Sequence, residues 1–146
     1  MLALILFLGL IQSTDIAIVV HPNVQVDNIT FADLRKLLLG ERQFWDKGGG
    51  LRVTLLMRAP AAREREVLLQ KIYKMSEAQF KQYWVGKIFR AEAAAGPKIV
   101  YSNEMATELV TALPGSIAFV EASQVKNMKV LKIDGLLPGQ KGYPLN

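Results

Sequence analysis

Short β-branched runs alternate along this chain with capped, amphipathic segments, and that alternation constrains the fold more than any single motif. "DIAIVVHP" (Asp15 to Pro22) is an apolar run stopped by proline, which predicts a buried strand. In "NITFADLRKLLLG", Thr30 is placed to cap a helix with Asp33 three residues later, and Ile29 and Leu34 take the staple positions around that cap. Phe31, Leu34, Leu37 and Leu38 share one helical face, and Gly40 ends the helix. "WDKGGG" is a turn that leads into a strand, "LRVTLLM", so its glycines do not form a phosphate loop. Glu64 to Lys74 reads as a helix with Val67, Leu68, Ile72 and Tyr73 inward.

The clearest helix is "MSEAQFKQYWVGKIFR". Ser76 and Gln79 form a capping box, Met75 and Phe80 its staple, and Phe80, Tyr83, Trp84 and Ile88 its inner face. "AEAAAGP" is a linker, "KIVY" a strand, "SNEMATELVTAL" a helix stopped by Pro114-Gly115, and "SIAFV" a strand. "KNMKVLKIDG" holds a last strand and "LLPGQKGYPLN" is a tail. The segments Ile16–Val20, Arg52–Met57, Ile99–Tyr101 and Ile117–Val120 are expected in one sheet, so the fold class is α/β.

A chain of 146 residues, 51% of them apolar and 21% charged, fits one globular domain. The division expected is a secretory signal over residues 1–13 and one α/β domain over residues 14–146. "MLALILFLGLI" is uncharged and shorter than the ~20 residues a bilayer span needs. It has the character of a signal h-region, with cleavage near Ser13, which predicts a periplasmic or secreted product without a stable membrane span. With no cysteine, disulfides, thiolate metal sites and thiol catalysis are excluded. One histidine, His21, follows the first strand and cannot make a metal cluster alone; it reads as a turn residue. No nucleophile elbow, Walker loop, zinc-protease helix or dinucleotide fingerprint is present, so the sequence points to no enzyme and no cofactor. The net charge of +5 is uneven, with 14 Lys and Arg against 7 Asp and Glu between Asp33 and Lys98. That segment favours anionic partners. It lacks the aromatic-rich basic motifs of nucleic-acid binding, so no nucleic-acid partner is expected.

"LMRAPAARERE" (Leu56 to Glu66) is where such an anion would bind. A strand runs into Arg58, a proline turn and a helix start, a combination that directs backbone amides and an arginine at one point.

Taken in order, "VVHPN", "ITFADLRKLLLGE", "FWDKGGGLRVTLLMR", "MSEAQFKQYW", "PGSIAFV" and "KGYPL" resemble the periplasmic phosphate-binding proteins of phosphate ABC transporters. The chain looks most like short members that correspond to one lobe of that type 2 periplasmic-binding-protein fold. The resemblance runs from Ile16 to Leu145 and includes Trp45, Arg58, Gly115-Ser116-Ile117 and Tyr143-Pro144-Leu145. It implies a mixed, mostly parallel sheet with flanking helices, and an anion site at the carboxyl end of a strand. In the family, the arginine matched by Arg58 is followed four residues on by Ser-Gly-Thr at the next helix start. Here Ala62, Arg63 and Glu64 take those positions, so two hydroxyl donors are lost. The implied ligand residues are Arg58, Ala61, Ala62 and Arg63, with phosphate or a similar oxyanion as ligand. Arg58 and Arg63 favour the anion, while Glu64 and Glu66 oppose it. Two readings stay open: weak or partner-dependent oxyanion binding, or an interaction module contacting a transporter or sensor subunit.

Overall fold

The computed structural model describes residues 13–146, so the predicted signal lies almost wholly outside the described residues. Strand β1 (Ile16–Val20) is apolar and buried at every position, as a strand covered on both faces requires. A two-residue strand β2 (Asn28–Ile29) leads to helix α1 (Phe31–Leu38), where the Thr30 side chain accepts from the Asp33 N–H as its cap. Strand β3 (Thr54–Arg58) precedes helix α2 (Arg63–Leu68), which continues as a π-helical turn over Leu69–Tyr73 and stops at Lys74 in a left-handed conformation. Helix α3 (Glu77–Phe89) starts with the full reciprocal capping box of Ser76 and Gln79. Strand β4 (Lys98–Val100), helix α4 (Asn103–Ala112), strand β5 (Ser116–Glu121) and strand β6 (Lys129–Ile133) complete the order.

The strands form one sheet in the order β2-β6-β1-β5-β3-β4. β3 runs parallel to β4 and β5, and β2 runs parallel to β6, whereas β1 is antiparallel to both of its neighbours. All four expected strand segments lie in this sheet, with shifts of one or two residues at their ends. Leu34, Leu37, Leu68, Ile72, Phe80 and Trp84 build a core on one face with Ile16, Ile18 and Val20. On the other face, Ala106 and Val110 of α4 pack on Val19, Leu56, Val100 and Val120. The alternation along β1 thus feeds two layers of helices.

Three expectations need correction. The C-terminal segment is not a loose tail. β6 pairs with β1 only from Ile18 to Val20, and the end of the chain completes the strand's start. Ile16 N–H donates to the Leu145 carbonyl at 2.8 Å, the Tyr143 hydroxyl donates to the Ile16 carbonyl at 2.6 Å, and both side chains are buried. Trp45 is more than a turn residue: it is buried, and its indole donates to the Gly115 carbonyl at 2.9 Å. Ile88 lies on the outer side of α3 rather than in the core.

Gly115 joins α4 to β5 at φ +76°, and a Cβ there would lie 2.1 Å from the Arg52 carbonyl oxygen. Its own carbonyl also receives the Thr54 N–H at 3.2 Å, which sets β3 beside β5. Neither the dihedral nor the space tolerates a side chain. Gly115→Ala is expected to lower the unfolding free energy by about 3 kcal/mol in urea denaturation; a loss below about 1 kcal/mol would show that β3 can shift to make room.

Candidate functional site

Arg58 closes β3 at the carboxyl end of the strand. The chain is tied to β4 once more, by Ala59 N–H donating to the Val100 carbonyl at 2.9 Å, and then turns. Pro60 fixes one dihedral of that turn. Ala61 takes φ +78°, a left-handed conformation uncommon for a residue with a Cβ. Ala62 donates its N–H to the Ala59 carbonyl at 3.2 Å and stands at the N-cap of α2 without a side-chain cap. The Ala62 amide is therefore used inside the turn and is not available to a ligand.

The Arg58 guanidinium lies between two helix starts. Its Nη1 donates to Asn103 Oδ1 at 2.8 Å, where α4 begins, and lies 3.1 Å from Glu64 Oε2 in the first turn of α2. Helix N-termini carry partial positive charge, so an arginine placed there needs an anion nearby. Glu64 supplies it. The two side chains are 16% and 9% exposed, which limits screening of the pair. Arg58 Nε is buried without a hydrogen-bond partner in the protein.

Arg65 braces this corner from behind. Its Nη1 donates to the Arg58 carbonyl at 3.1 Å, and its fork grips Glu77 at 2.7 and 2.8 Å. The same guanidinium lies over the Phe80 ring at 4.9 Å. The hydrogen bond from Arg65 holds the Glu77 carboxyl below its usual range.

Of the expected ligand residues, Arg58, Ala61 and Ala62 share one turn. Arg63 points elsewhere: its Nη1 donates to the Thr14 carbonyl at 2.6 Å and is committed to the start of the described chain. Sequence reasoning read Glu64 only as a charge opposing the ligand, not as the direct partner of Arg58. Its placement in the first turn after Arg58 was the available signal. Asn103 lies 45 residues away and gave none. His21 is a turn residue, with Nδ1 2.6 Å from Asn23 Oδ1. Among the described residues no group of three His, Cys, Asp or Glu side chains forms a metal site. No helix among them is long and apolar enough to cross a membrane.

Two outcomes follow from this geometry. Glu64→Ala strips Arg58 of its counter-charge and is expected to cost about 2 kcal/mol of stability, against less than about 0.5 for exposed Glu66→Ala. Equal effects in urea denaturation would mean that the pair is solvated. Because the folded Glu77 carboxyl is lowered from 4.5, its contribution is complete above about that pH and is lost as pH falls through the folded value. Glu77 is 47% exposed in its side chain, so the contribution is small. Wild type should lose stability below pH 4.5 more steeply than Glu77→Gln; superimposable acid profiles would remove the Arg65 fork from the account of this corner.

No family model matches the chain. In sequence it is 26% identical over 132 residues to the phosphate-binding protein PstS of Borreliella burgdorferi, covering 82% of this chain and 43% of that protein. In structure it is similar to an ABC-type phosphate transport receptor from Vibrio cholerae, with a TM-score of 0.72 at 18% identity over 92% of this chain and 54% of the other. It is also similar to a phosphate ABC transporter substrate-binding protein with bound phosphate from Clostridium perfringens, with a TM-score of 0.68 at 17% identity over 87% and 48%. The chain thus spans about half the length of the relatives it matches.

Proposed function

We propose that this chain, a half-length relative of the phosphate-binding proteins of phosphate ABC transporters, is an exported, non-enzymatic oxyanion-binding protein that holds phosphate weakly unless a partner completes its rim. The observation that carries this reading is the Arg58 guanidinium, held between two helix starts and already matched by Glu64 at 3.1 Å. An anion site has been kept there, and an internal carboxylate occupies it. Phosphate reaching the rim competes with Glu64 for the same Nη1, or uses the rest of the guanidinium beside a like charge. Either route weakens binding without abolishing it. The ligand-facing residues are Arg58 and Ala61, since the Ala62 amide is spent on the Ala59 carbonyl. Arg63 contributes only if it leaves the Thr14 carbonyl. A chain segment equivalent to the part of the relatives that this one does not cover, or a transporter or sensor subunit in that position, would shield the rim from water and strengthen each charge pair.

The same ion pair favours a second reading. Arg58 needs no external anion once Glu64 is present, so the scaffold could serve as an interaction module without a ligand. Calorimetric titration with phosphate separates the two. In the first reading, wild type binds in the millimolar range, and Arg58→Ala loses about 1.5–3 kcal/mol of that binding, the scale of a hydrogen bond to a charged group. The triple change Ala62→Ser, Arg63→Gly and Glu64→Thr should tighten binding by restoring hydroxyl donors and removing the competing carboxylate. If neither wild type nor the triple variant releases heat at millimolar phosphate, the oxyanion reading fails and the interaction module replaces it.

A further inference from the structure

The Arg58 guanidinium ends a long, flexible stem, so charge alone does not settle where it points. An ion pair attracts with little directionality, whereas a hydrogen bond needs its donor aimed at the acceptor. Among the described residues the guanidinium makes one hydrogen bond, from Nη1 to Asn103 Oδ1 at 2.8 Å. Glu64 Oε2 lies 3.1 Å from the same nitrogen as an ion pair, without the alignment of a hydrogen bond. Nε is buried and has no partner in the protein. The two partners of Arg58 therefore differ in kind: Glu64 supplies charge, and Asn103 supplies direction.

Register and capping make Asn103 rigid enough for that role. Val100 lies opposite Arg58 across β3 and β4, and α4 begins shortly after it with Asn103 as its first residue. Ser102 caps the helix by accepting the Met105 N–H at 2.9 Å, and the Ala106 N–H reaches the Ser102 carbonyl at 3.0 Å. The Asn103 carbonyl accepts the Thr107 hydroxyl at 2.9 Å. Its backbone is thus held by the first turn of α4, and a short side chain carries the amide oxygen to Arg58.

The acceptor is also neutral. An aspartate at this position would hold the arginine too, but would set a second carboxylate beside Glu64. Glu104, the acid in the first turn of α4, is exposed and forms no ion pair with Arg58 among the described residues. Arg58 therefore keeps one counter-charge. When an oxyanion displaces Glu64 from Nη1, Asn103 is the side chain that stops the guanidinium from following the carboxylate. A group already held in place loses less affinity to ordering when the ligand arrives.

We propose that Asn103 is the positioning residue of the anion rim, a neutral acceptor that fixes the Arg58 guanidinium while Glu64 and an oxyanion of the phosphate class exchange on it. This inference rests on the oxyanion reading above. It adds to the rim a residue 45 positions away, on a different helix.

Two measurements on the whole chain test it: calorimetric titration with inorganic phosphate, and the rate at which the Arg58 Nε–H exchanges with water, read by nuclear magnetic resonance. Glu64→Gln serves as the parent, because phosphate binds best without the competing carboxylate. Alanine suits a helix, so adding Asn103→Ala leaves the chain folded. It should weaken phosphate binding about tenfold, the scale of a hydrogen bond to a charged group, and speed Nε–H exchange. Adding Asn103→Asp instead should keep exchange as slow as in the parent, yet leave phosphate binding at least as weak as with alanine. A purely structural tie between α4 and β3 gives a different pattern, in which Asn103→Ala lowers the urea midpoint with affinity and exchange unchanged. That pattern overturns the proposal, as does an Asn103→Asp variant that binds phosphate as well as the parent. If the Glu64→Gln parent shows no binding at millimolar phosphate, the oxyanion reading fails on its own. Nε–H exchange then decides the role of Asn103: faster exchange in Asn103→Ala upholds it as the residue that orients Arg58, and unchanged exchange overturns it.

Discussion

The position of the Arg58 corner depends on a contact that no side chain could make. Gly115 brings its α-carbon against the Arg52 carbonyl, and its own carbonyl holds both the Trp45 indole and the Thr54 N–H. This fixes the start of β3 beside the start of β5, with Thr54 opposite Ser116. Strands are stiff along their length, so a register set at Thr54 determines where Arg58 emerges four residues later. The same register sets β4 against β3, with Val100 opposite Arg58. The α4 helix then starts close enough for Asn103 to reach the guanidinium. Geometry at the far end of the strand thus governs the charge arrangement at its carboxyl end.

The corner itself is organised by electrostatics. An arginine between two helix N-termini is placed against two positive partial charges. In water this would matter little, but Arg58 is largely buried. The Glu64 carboxylate offsets that arrangement and ties α2 to β3. Arg65 repeats the logic one residue on, gripping Glu77 while bonding the Arg58 carbonyl. The segment that looks on paper like a run of alternating surface charges is a pair of interlocked ion pairs, with Glu64 and Arg65 facing in and Arg63 and Glu66 facing out.

Local chemistry was legible in the sequence. The caps at Thr30 and Ser76, the stop at Gly40 and the apolar face of the α2 region all reside in side chains three or four residues apart. What could not be read there is long-range. The C-terminal residues carry Pro and Gly and no periodicity, yet Tyr143 and Leu145 complete β1 across more than 120 residues of chain. The two-residue β2 is too short for any alternation to show. Ile88 fits the inner face of α3 by spacing, yet it is exposed, because spacing along one helix does not tell which part of its face a neighbour covers. The rim was half legible: a strand, an arginine and a helix start are local, whereas the pairing of Arg58 with Asn103 depends on the β3–β4 register.

On the proposed reading, Glu64 also explains how this corner can keep an anion site and remain folded. An arginine largely buried at two helix starts without a counter-charge would cost about 2 kcal/mol whenever the ligand was absent. A tethered carboxylate answers the problem with a local concentration in the millimolar range or above, always present and independent of solute. The consequence is competition. Free phosphate at comparable concentration gains only the difference between its own contacts and those that Glu64 gives up. Stability of this domain and affinity for the anion are therefore drawn, on that reading, from the same guanidinium, and strengthening one by changing Glu64 weakens the other.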